Sequence, residues 1–311
     1  GLDDASLDDA GRRRGKPARA RAGDVVAGYL AAQLAALTAA DPAVKLDAGD
    51  SVHDMRVATR RLRTTLAAFR PMFAPGAVEP LRAELKWLGA QLGAVRDADV
   101  LLHAFEQQLD GQPEELVVGP VARRIGLELR GRRAEARRHL LEALASDRYF
   151  ALVGAVERFV AQPPFSGRAS KRADRELRRR VRKACRRVRR AHAQLGPLPP
   201  GPELDHRAHR VRIAAKRARY AAEAAAGVSG KGAEKLVEAL QQVQDRLGDH
   251  QDAVLQRAAL RDLAVRAFLA GENGFTFGRL HGLAEARATR DLEDFRRDWK
   301  LTRRRMARWP G

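Results

Sequence analysis

The sequence predicts an all-α protein, and three observations carry that prediction. Apolar residues recur at helical spacing, as in Leu81, Leu85, Leu88 and Leu92 at i, i+4, i+7 and i+11. Ala, Leu, Arg and Glu dominate while aromatics contribute only 5%, a composition suited to helices packed through small and aliphatic side chains. No β-alternating run of useful length appears. The order of segments also recurs along the chain, which predicts a duplicated helical bundle.

Residues 1–22 carry Arg12 to Arg14, Lys16, Arg19 and Arg21 and are expected to be a disordered basic lead-in. Asp24 to Thr38 reads as an alanine–leucine helix, followed by a break from Asp41 to Asp50 that contains Pro42 and Gly49. A helix beginning at Ser51 or Val52 should end before Pro71. The leucine ladder 81–92 is expected to close at Gly93 as a C-cap, and Asp97 to open a further helix through Leu109. Helices over about 119–145 and, capped by Ser146 or Asp147, on to Ala161 complete the first half. Gln162-Pro-Pro-Phe-Ser-Gly167 is the best linker candidate.

The same order then begins again. A basic helix over about 171–195 precedes a Pro/Gly break at 196–202, a helix over about 205–226, a second ladder and a long final helix over 275–308. Leu236, Leu240, Val243 and Leu247 repeat the first ladder at an offset of 155, and Leu247-Gly-Asp-His-Gln-Asp252 repeats Leu92-Gly-Ala-Val-Arg-Asp97. The expected organisation is therefore a first bundle over 23–161, a linker over 162–170 and a second bundle over 171–309.

Charge narrows the partner class. Fifty-nine Lys and Arg against 39 Asp and Glu leave +20, which points to a polyanion: nucleic acid, an anionic membrane surface or a phosphate polymer. No apolar run approaching the roughly 18–20 residues needed to span a bilayer is expected, nor is a signal-peptide core. The single cysteine, Cys185, excludes an intramolecular disulfide and a cysteine cage, and suits a reducing cytoplasm. The chain opens Gly-Leu-Asp-Asp rather than with Met, so a fragment of a longer protein is expected.

Two basic stripes carry the functional reading: His53-x-x-Arg56-x-x-x-Arg60-Arg61-x-Arg63 and His209-x-x-Arg212-x-x-x-Lys216-Arg217-x-Arg219. On a helix, i, i+3, i+7 and i+10 fall within about 80° of one another. Ala58, Leu62, Thr65, Leu66 and Phe69 take the opposite face, so the stripe should look away from its own core. A solvated face normally interleaves Glu or Asp among its cations, and these stripes do not. Arg offers a planar fork to phosphate and Lys a point charge. Eleven residues span about 15 Å, more than one phosphate ion needs.

Other basic groups extend this reading. Arg175, Arg179, Arg182, Lys183, Arg186 and Arg190 lie opposite the expected buried edge Leu177, Val181, Ala184 and Val188, and are assigned to the same anion channel. Arg130 with Arg133, and Arg287 with Arg290, are candidate extensions of its lining. Asp97 and Asp252 are expected to cap a helix or orient a stripe arginine. His53 and His209 are phosphate donors or packing histidines, and a bound anion would favour their charged forms. No ligand cluster calls for a metal or cofactor, although His206 and His250 could approach one another. Neither a nucleophile–base arrangement nor a Gly-rich phosphate loop is present, so no enzyme activity is expected.

With these motifs in place, the chain resembles the CHAD family, the conserved-histidine α-helical domain, over about residues 24–308. The resemblance rests on His53-Asp-Met-Arg56-Val-Ala-Thr-Arg60-Arg61-Leu-Arg63, on Leu92-Gly-Ala-Val-Arg96-Asp97-Ala-Asp99-Val100-Leu101, and on their second copies. It implies two helical bundles related by a pseudo-twofold axis, a basic cleft or pore between them, noncatalytic binding of inorganic polyphosphate, and targeting to polyphosphate granules. His53, Arg56, Arg60, Arg63, His209, Arg212, Lys216 and Arg219 occupy the matching positions. Lys216 and Gln251 depart from the pattern, so Arg96 is expected to have a role its counterpart lacks. The Glu-x-Glu-x-Lys strand of a CYTH-type triphosphatase is absent. The alternative is a nonspecific nucleic-acid-binding protein, which the scarcity of stacking aromatics near the stripes, Tyr220 excepted, disfavours.

Overall fold

A computed structural model describes residues 20–309, so most of the expected lead-in at 1–22 lies outside the described residues. Its last residues are not loose: Arg21 forms a bridge with Arg172, and Ala22 begins the first helix. The described residues form nine α-helices and no strand: α1 (Ala22–Lys45), α2 (Ser51–Phe69), α3 (Glu79–Asp110), α4 (Val121–Leu144), α5 (Asp147–Ala161), α6 (Ala173–Ala193), α7 (Pro202–Ser229), α8 (Lys231–Leu269) and α9 (Phe275–Ala307).

Three boundaries differ from the sequence reading. Pro42 does not end α1, which runs on to Lys45 before Asp47 and Gly49, both in the left-handed region, turn the chain. An alanine-rich helix already under way tolerates one lost hydrogen bond when packing holds both sides. Gly93 is not a C-cap and Asp97 does not open a helix: α3 is continuous from Glu79 to Asp110, and α8 is continuous through Gly248 in the same way. By contrast Ser146 does cap α5, its Oγ accepting from Tyr149 N at 3.3 Å.

α1 is also long and apolar enough to cross a membrane by composition, contrary to the expectation of no such run. Its apolar face is used internally. Val26, Leu30 and Leu37 are buried at one helical face, while Ala31, Ala32, Ala35 and Ala36 raise the average from the other faces.

Two apolar cores organise the helices. The larger contains Met55, Leu62 and Phe69 of α2, Leu85 and Leu88 of α3, Leu177 and Val181 of α6, Val211 of α7 and Leu240 of α8. It therefore draws on both sequence halves at once. The 162–170 segment connects those halves but is fastened to the protein. Ala74 N donates to Pro164 O at 2.7 Å, Ser166 N to Met72 O at 2.9 Å, and Phe165 stacks on Phe73 with centroids 5.6 Å apart.

The smaller core joins the far ends of the long helices. Phe105 and Leu109 of α3, Val121, Ile125 and Leu129 of α4, Leu260 and Leu263 of α8, and Phe277 and Leu280 of α9 pack together. Polar ties surround it: Val118 N donates to Thr276 Oγ1 at 2.8 Å, Gln108 Nε2 to Gln256 Oε1 at 2.9 Å, and Arg124 Nη2 to Glu272 Oε1 at 2.6 Å. Between the two cores, α3 and α8 present charged residues, among them Asp97, Asp99, Asp249 and Asp252.

Phe105→Ala is expected to cost about 3–5 kcal/mol in urea denaturation, because a fully buried aromatic in a small core leaves a cavity with little means of collapse. Gly93→Ala should be neutral or gain up to about 1 kcal/mol by the same measurement. Its added methyl would meet Arg56 Nη2 at 3.7 Å, an ordinary contact.

Candidate anion-binding tract

The helices α2 and α7 pack against each other, which brings the two stripes together. The predicted inner face of α2 is buried at Ala58, Leu62, Thr65, Leu66 and Phe69, so the stripe looks outward from that core as expected. Arg56 and Arg60 of α2 lie beside Arg212 and Lys216 of α7. Arg60 Nε donates to Tyr220 Oη at 2.8 Å, which fixes the guanidinium across the helix pair. Burial, then the charges of Arg212, Arg60 and Arg56, hold the Lys216 ammonium down to about 7. Burial also pushes Arg212 down, as do Arg60 and Arg56.

Glycines in α3 and α8 give two of these arginines their places. A Cβ on Gly93 would stand 3.7 Å from Arg56 Nη2, and one on Gly248 would stand 3.5 Å from Arg212 Nη2. Each guanidinium thus lies along a helix surface that a larger side chain would fill. One turn further on, Asp97 Oδ1 accepts from Arg56 Nη1 at 2.9 Å. Asp252 is the corresponding residue near Arg212, without a direct hydrogen bond; burial raises its carboxyl and Arg212 opposes the rise. Arg212 Nε is left buried without a partner.

Arg96 and Gln251 have different partners. Arg96 Nη1 pairs with Asp50 at 3.1 Å, whereas Gln251 Oε1 sits 2.9 Å from His209 Nδ1. Burial lowers both stripe histidines, with Arg96 adding to the effect at His53. His250 is held between the Ala288 carbonyl, 2.8 Å from Nδ1, and Asp205, 3.1 Å from Nε2.

The tract leads to two cavities of opposite character. One, of about 700 Å³, is lined by Arg70, Arg82, Arg180, Lys183, Arg187, Arg210 and Arg217, with Ala67, Pro71 and Ile213 among its apolar walls. Among the described residues no carboxylate lines it. Arg63 connects this cavity to the stripe: burial and the charges of Arg82, Arg217 and Arg60 all lower it. The other cavity, of about 870 Å³, is mixed, with Asp50, Asp99, Asp249, Asp252 and Asp291 facing Arg96, Arg133, Arg287 and His103. Burial raises the carboxyls of Asp249, Asp252 and Asp291.

Several predicted residues stand elsewhere. Arg61 and Arg219 face Glu223, at 3.5 and 3.1 Å. Of the α6 group only Lys183 lines the open basic cavity; Arg182, Arg186 and Arg190 are exposed, and Arg175 and Arg179 border a separate recess beside Glu176. Arg130 pairs with Glu106, and Arg290 is exposed. Arg133 is tied to Asp47 at 2.8 Å and Asp99 at 2.6 Å, so it lines the mixed cavity already neutralised. Arg287 lines the same cavity.

Sequence reasoning missed Arg70, Arg82, Arg180, Arg187 and Arg210. A signal existed on α6, where Arg180, Ala184, Arg187 and Ala191 recur at i, i+4, i+7 and i+11, small residues alternating with arginines along one strip. Arg82 carried no such signal.

The family model for the CHAD domain matches residues 28–261. The chain belongs to the CHAD domain family. That family is associated with polyphosphate binding and metabolism. Two uncharacterized proteins of Mycobacterium tuberculosis, from strains CDC 1551 and H37Rv, are each 36% identical over 244 residues, covering 78% of this chain and 46% of their own length. The chain thus spans about half the length of the curated relatives it matches. Among solved structures, PptA from Streptomyces chartreusis matches with a TM-score of 0.72 at 24% identity, covering 90% of this chain and all of that one. The CHAD domain from the plant Ricinus communis gives 0.70, also at 24% identity, covering 94% of this chain and 95% of that one. Both likenesses bear on the fold.

Stability of the free domain is expected to rise with pH across the window from about 7 to the ordinary lysine range, read by urea denaturation. Lys216 is charged in the unfolded chain throughout that window but gives up its proton in the folded one, so folding releases a proton there. Lys216→Met should flatten this part of the profile and raise stability near pH 7. An unaltered profile in the variant would show that Lys216 keeps its proton.

Proposed function

We propose that this CHAD domain is a noncatalytic module that binds inorganic polyphosphate along the tract from the open basic cavity to the crossing of α2 and α7. The observation that carries this reading is the run of cations at that crossing. Arg82, Arg217, Arg63, Arg60, Arg56, Arg212 and Lys216 succeed one another as close neighbours, all but the exposed Arg217 part-buried, and of the seven Arg56 bonds a carboxylate directly, that of Asp97. Concentrating like charge in this way costs free energy in the free protein. A flexible anion with one charge per phosphate, threaded past these groups, would relieve it. The orphaned Nε donors of Arg82 and Arg212 would gain acceptors at the same time.

His53, His209 and Arg287 are assigned to the far end of the tract and Lys183 to its mouth. Asp97 positions Arg56, and Asp252 is assigned the same role toward Arg212. The binding role requires neither a metal nor a cofactor, and no acid–base pair is assigned to catalysis. A cytoplasmic location at polyphosphate granules accords with a ligand of this kind.

Nucleic acid carries the same charge but adds bases. Tyr220, the aromatic at the tract, is fully buried, with its hydroxyl engaged by Arg60, so it offers no open stacking face. Long-chain polyphosphate should therefore outcompete short DNA or RNA at equal phosphate concentration. Displacement of polyphosphate by either nucleic acid would favour the other class of partner.

Lys216→Met is expected to weaken polyphosphate binding at least about tenfold, as loss of a part-buried charged hydrogen bond costs about 1.5–3 kcal/mol. Binding isotherms would measure this, and full affinity in a folded variant would remove Lys216 from the site. Near pH 8, binding should draw up to roughly one proton from solution, because a bound phosphate restores the ammonium of Lys216. Calorimetry in buffers of different ionisation heat reads that uptake directly.

A further inference from the structure

The arginines at the crossing of α2 and α7 form two pairs that differ in their counter-charge. In one, Arg63 of α2 lies near Arg217 of α7 and Arg82, and the latter two line the open basic cavity. In the other, Arg61 of α2 and Arg219 of α7 close on Glu223. Glu223 Oε1 lies 3.1 Å from Arg219 Nη1, and Oε2 lies 3.5 Å from Arg61 Nε. Tyr29 Oη of α1 donates to Oε2 at 3.1 Å, and the Arg219 guanidinium lies 4.6 Å over the Tyr220 ring. The Glu223 side chain is only 16% exposed.

The offset of 156 that superposes the two stripes pairs Arg61 with Arg217 and Arg63 with Arg219. Both pairs are thus built from the same two positions, one taken from each half of the chain. The same offset pairs Glu223 with Ala67, and Ala67 lines the open cavity. One pair has a methyl group at the position where the other has a carboxylate.

Glu223 satisfies its pair only in part. The Nε atoms of both Arg61 and Arg219 are buried without a hydrogen-bond partner. One carboxylate serves two guanidiniums, each built to offer a fork of donors, and a phosphate with more acceptor oxygens would match that pair better.

We infer that Glu223 is a built-in counter-ion occupying a second, latent phosphate recess, and that it confines the polymer to the Arg63–Arg217 side of the crossing. This rests on the polyphosphate reading above and adds the residue that sets the side and length of the tract. A carboxylate held between two cations supplies the charge a phosphate would supply and repels a phosphate that approaches. With one recess filled and its counterpart open, the bound chain has one way past the crossing instead of a branch.

The test compares wild type, Glu223→Gln and Ala67→Glu, each titrated with long-chain polyphosphate at several salt concentrations and checked by circular dichroism and urea denaturation. Glu223→Gln keeps the shape and an acceptor for Tyr29 while removing the charge. It is expected to bind about 3- to 10-fold tighter. Its log-affinity against log-salt slope should steepen by roughly 1, each additional cation contributing about 0.7 on a single-stranded polyanion. Ala67→Glu, at a half-exposed position, should bind about tenfold more weakly or worse, with a shallower slope. Affinities and slopes equal to wild type in both variants would make Glu223 an ordinary structural partner and end this inference. If Glu223→Gln does not fold, Ala67→Glu decides alone: weakened binding supports the inference and unchanged binding overturns it. Absence of binding by wild type would strike the polyphosphate reading itself, a result distinct from either.

Discussion

Everything about this domain turns on holding cations close together without neutralising all of them. Arg56, Arg60, Arg212 and Lys216 share a part-buried place, where burial first and then the charges of the three arginines hold the lysine ammonium down to about 7. Such a group does not assemble on a compliant frame, since the helices carrying it would move apart. Here two apolar cores clamp the arrangement, the larger beneath α2 and α7 and the smaller where α3 and α4 meet α8 and α9. The apolar packing does the stabilising, and the charged layer draws on it. That division is familiar from sites where activity is retained at a cost in stability.

The carboxylates near the tract take different parts in this balance. Asp97 meets Arg56 directly and fixes its direction. Asp252, without such a bond and part-buried, has its carboxyl raised. Glu223 neutralises a pair of arginines that would otherwise resemble Arg63 and Arg217. Glu176 serves another purpose, joining Arg180 one turn along α6 in a nearly buried pair at 2.6 Å that gives this cavity-lining arginine its counter-charge. Where carboxylates are placed, and where they are missing, shapes the tract as much as the arginines do.

Much of this was legible in the chain. Helical spacing gave the elements, and the recurrence of stripe and ladder led to the two striped helices that the fold brings into contact. The motif Leu-Gly-x-x-[Arg/Gln]-Asp was legible as a repeated unit but was misread locally. Glycine followed by aspartate suggests a helix end and a new start, yet Gly93 and Gly248 lie mid-helix with an arginine laid against each. Propensity describes a helix in isolation, and a distant guanidinium is invisible to it. Pro42 was misread for the same reason, since packing carried α1 past it.

The sequence by itself determined the helical class, the excess of positive charge and the two rows of cations, because each is a matter of composition or of spacing along one helix. Tertiary structure alone decided which cations are free to meet a ligand. Arg61 and Arg217 occupy equivalent positions in their stripes, yet one faces Glu223 across a helix pair and the other borders an open cavity. Pairing between charges depends on distances across elements remote in the chain. A pattern read along one helix has no access to them.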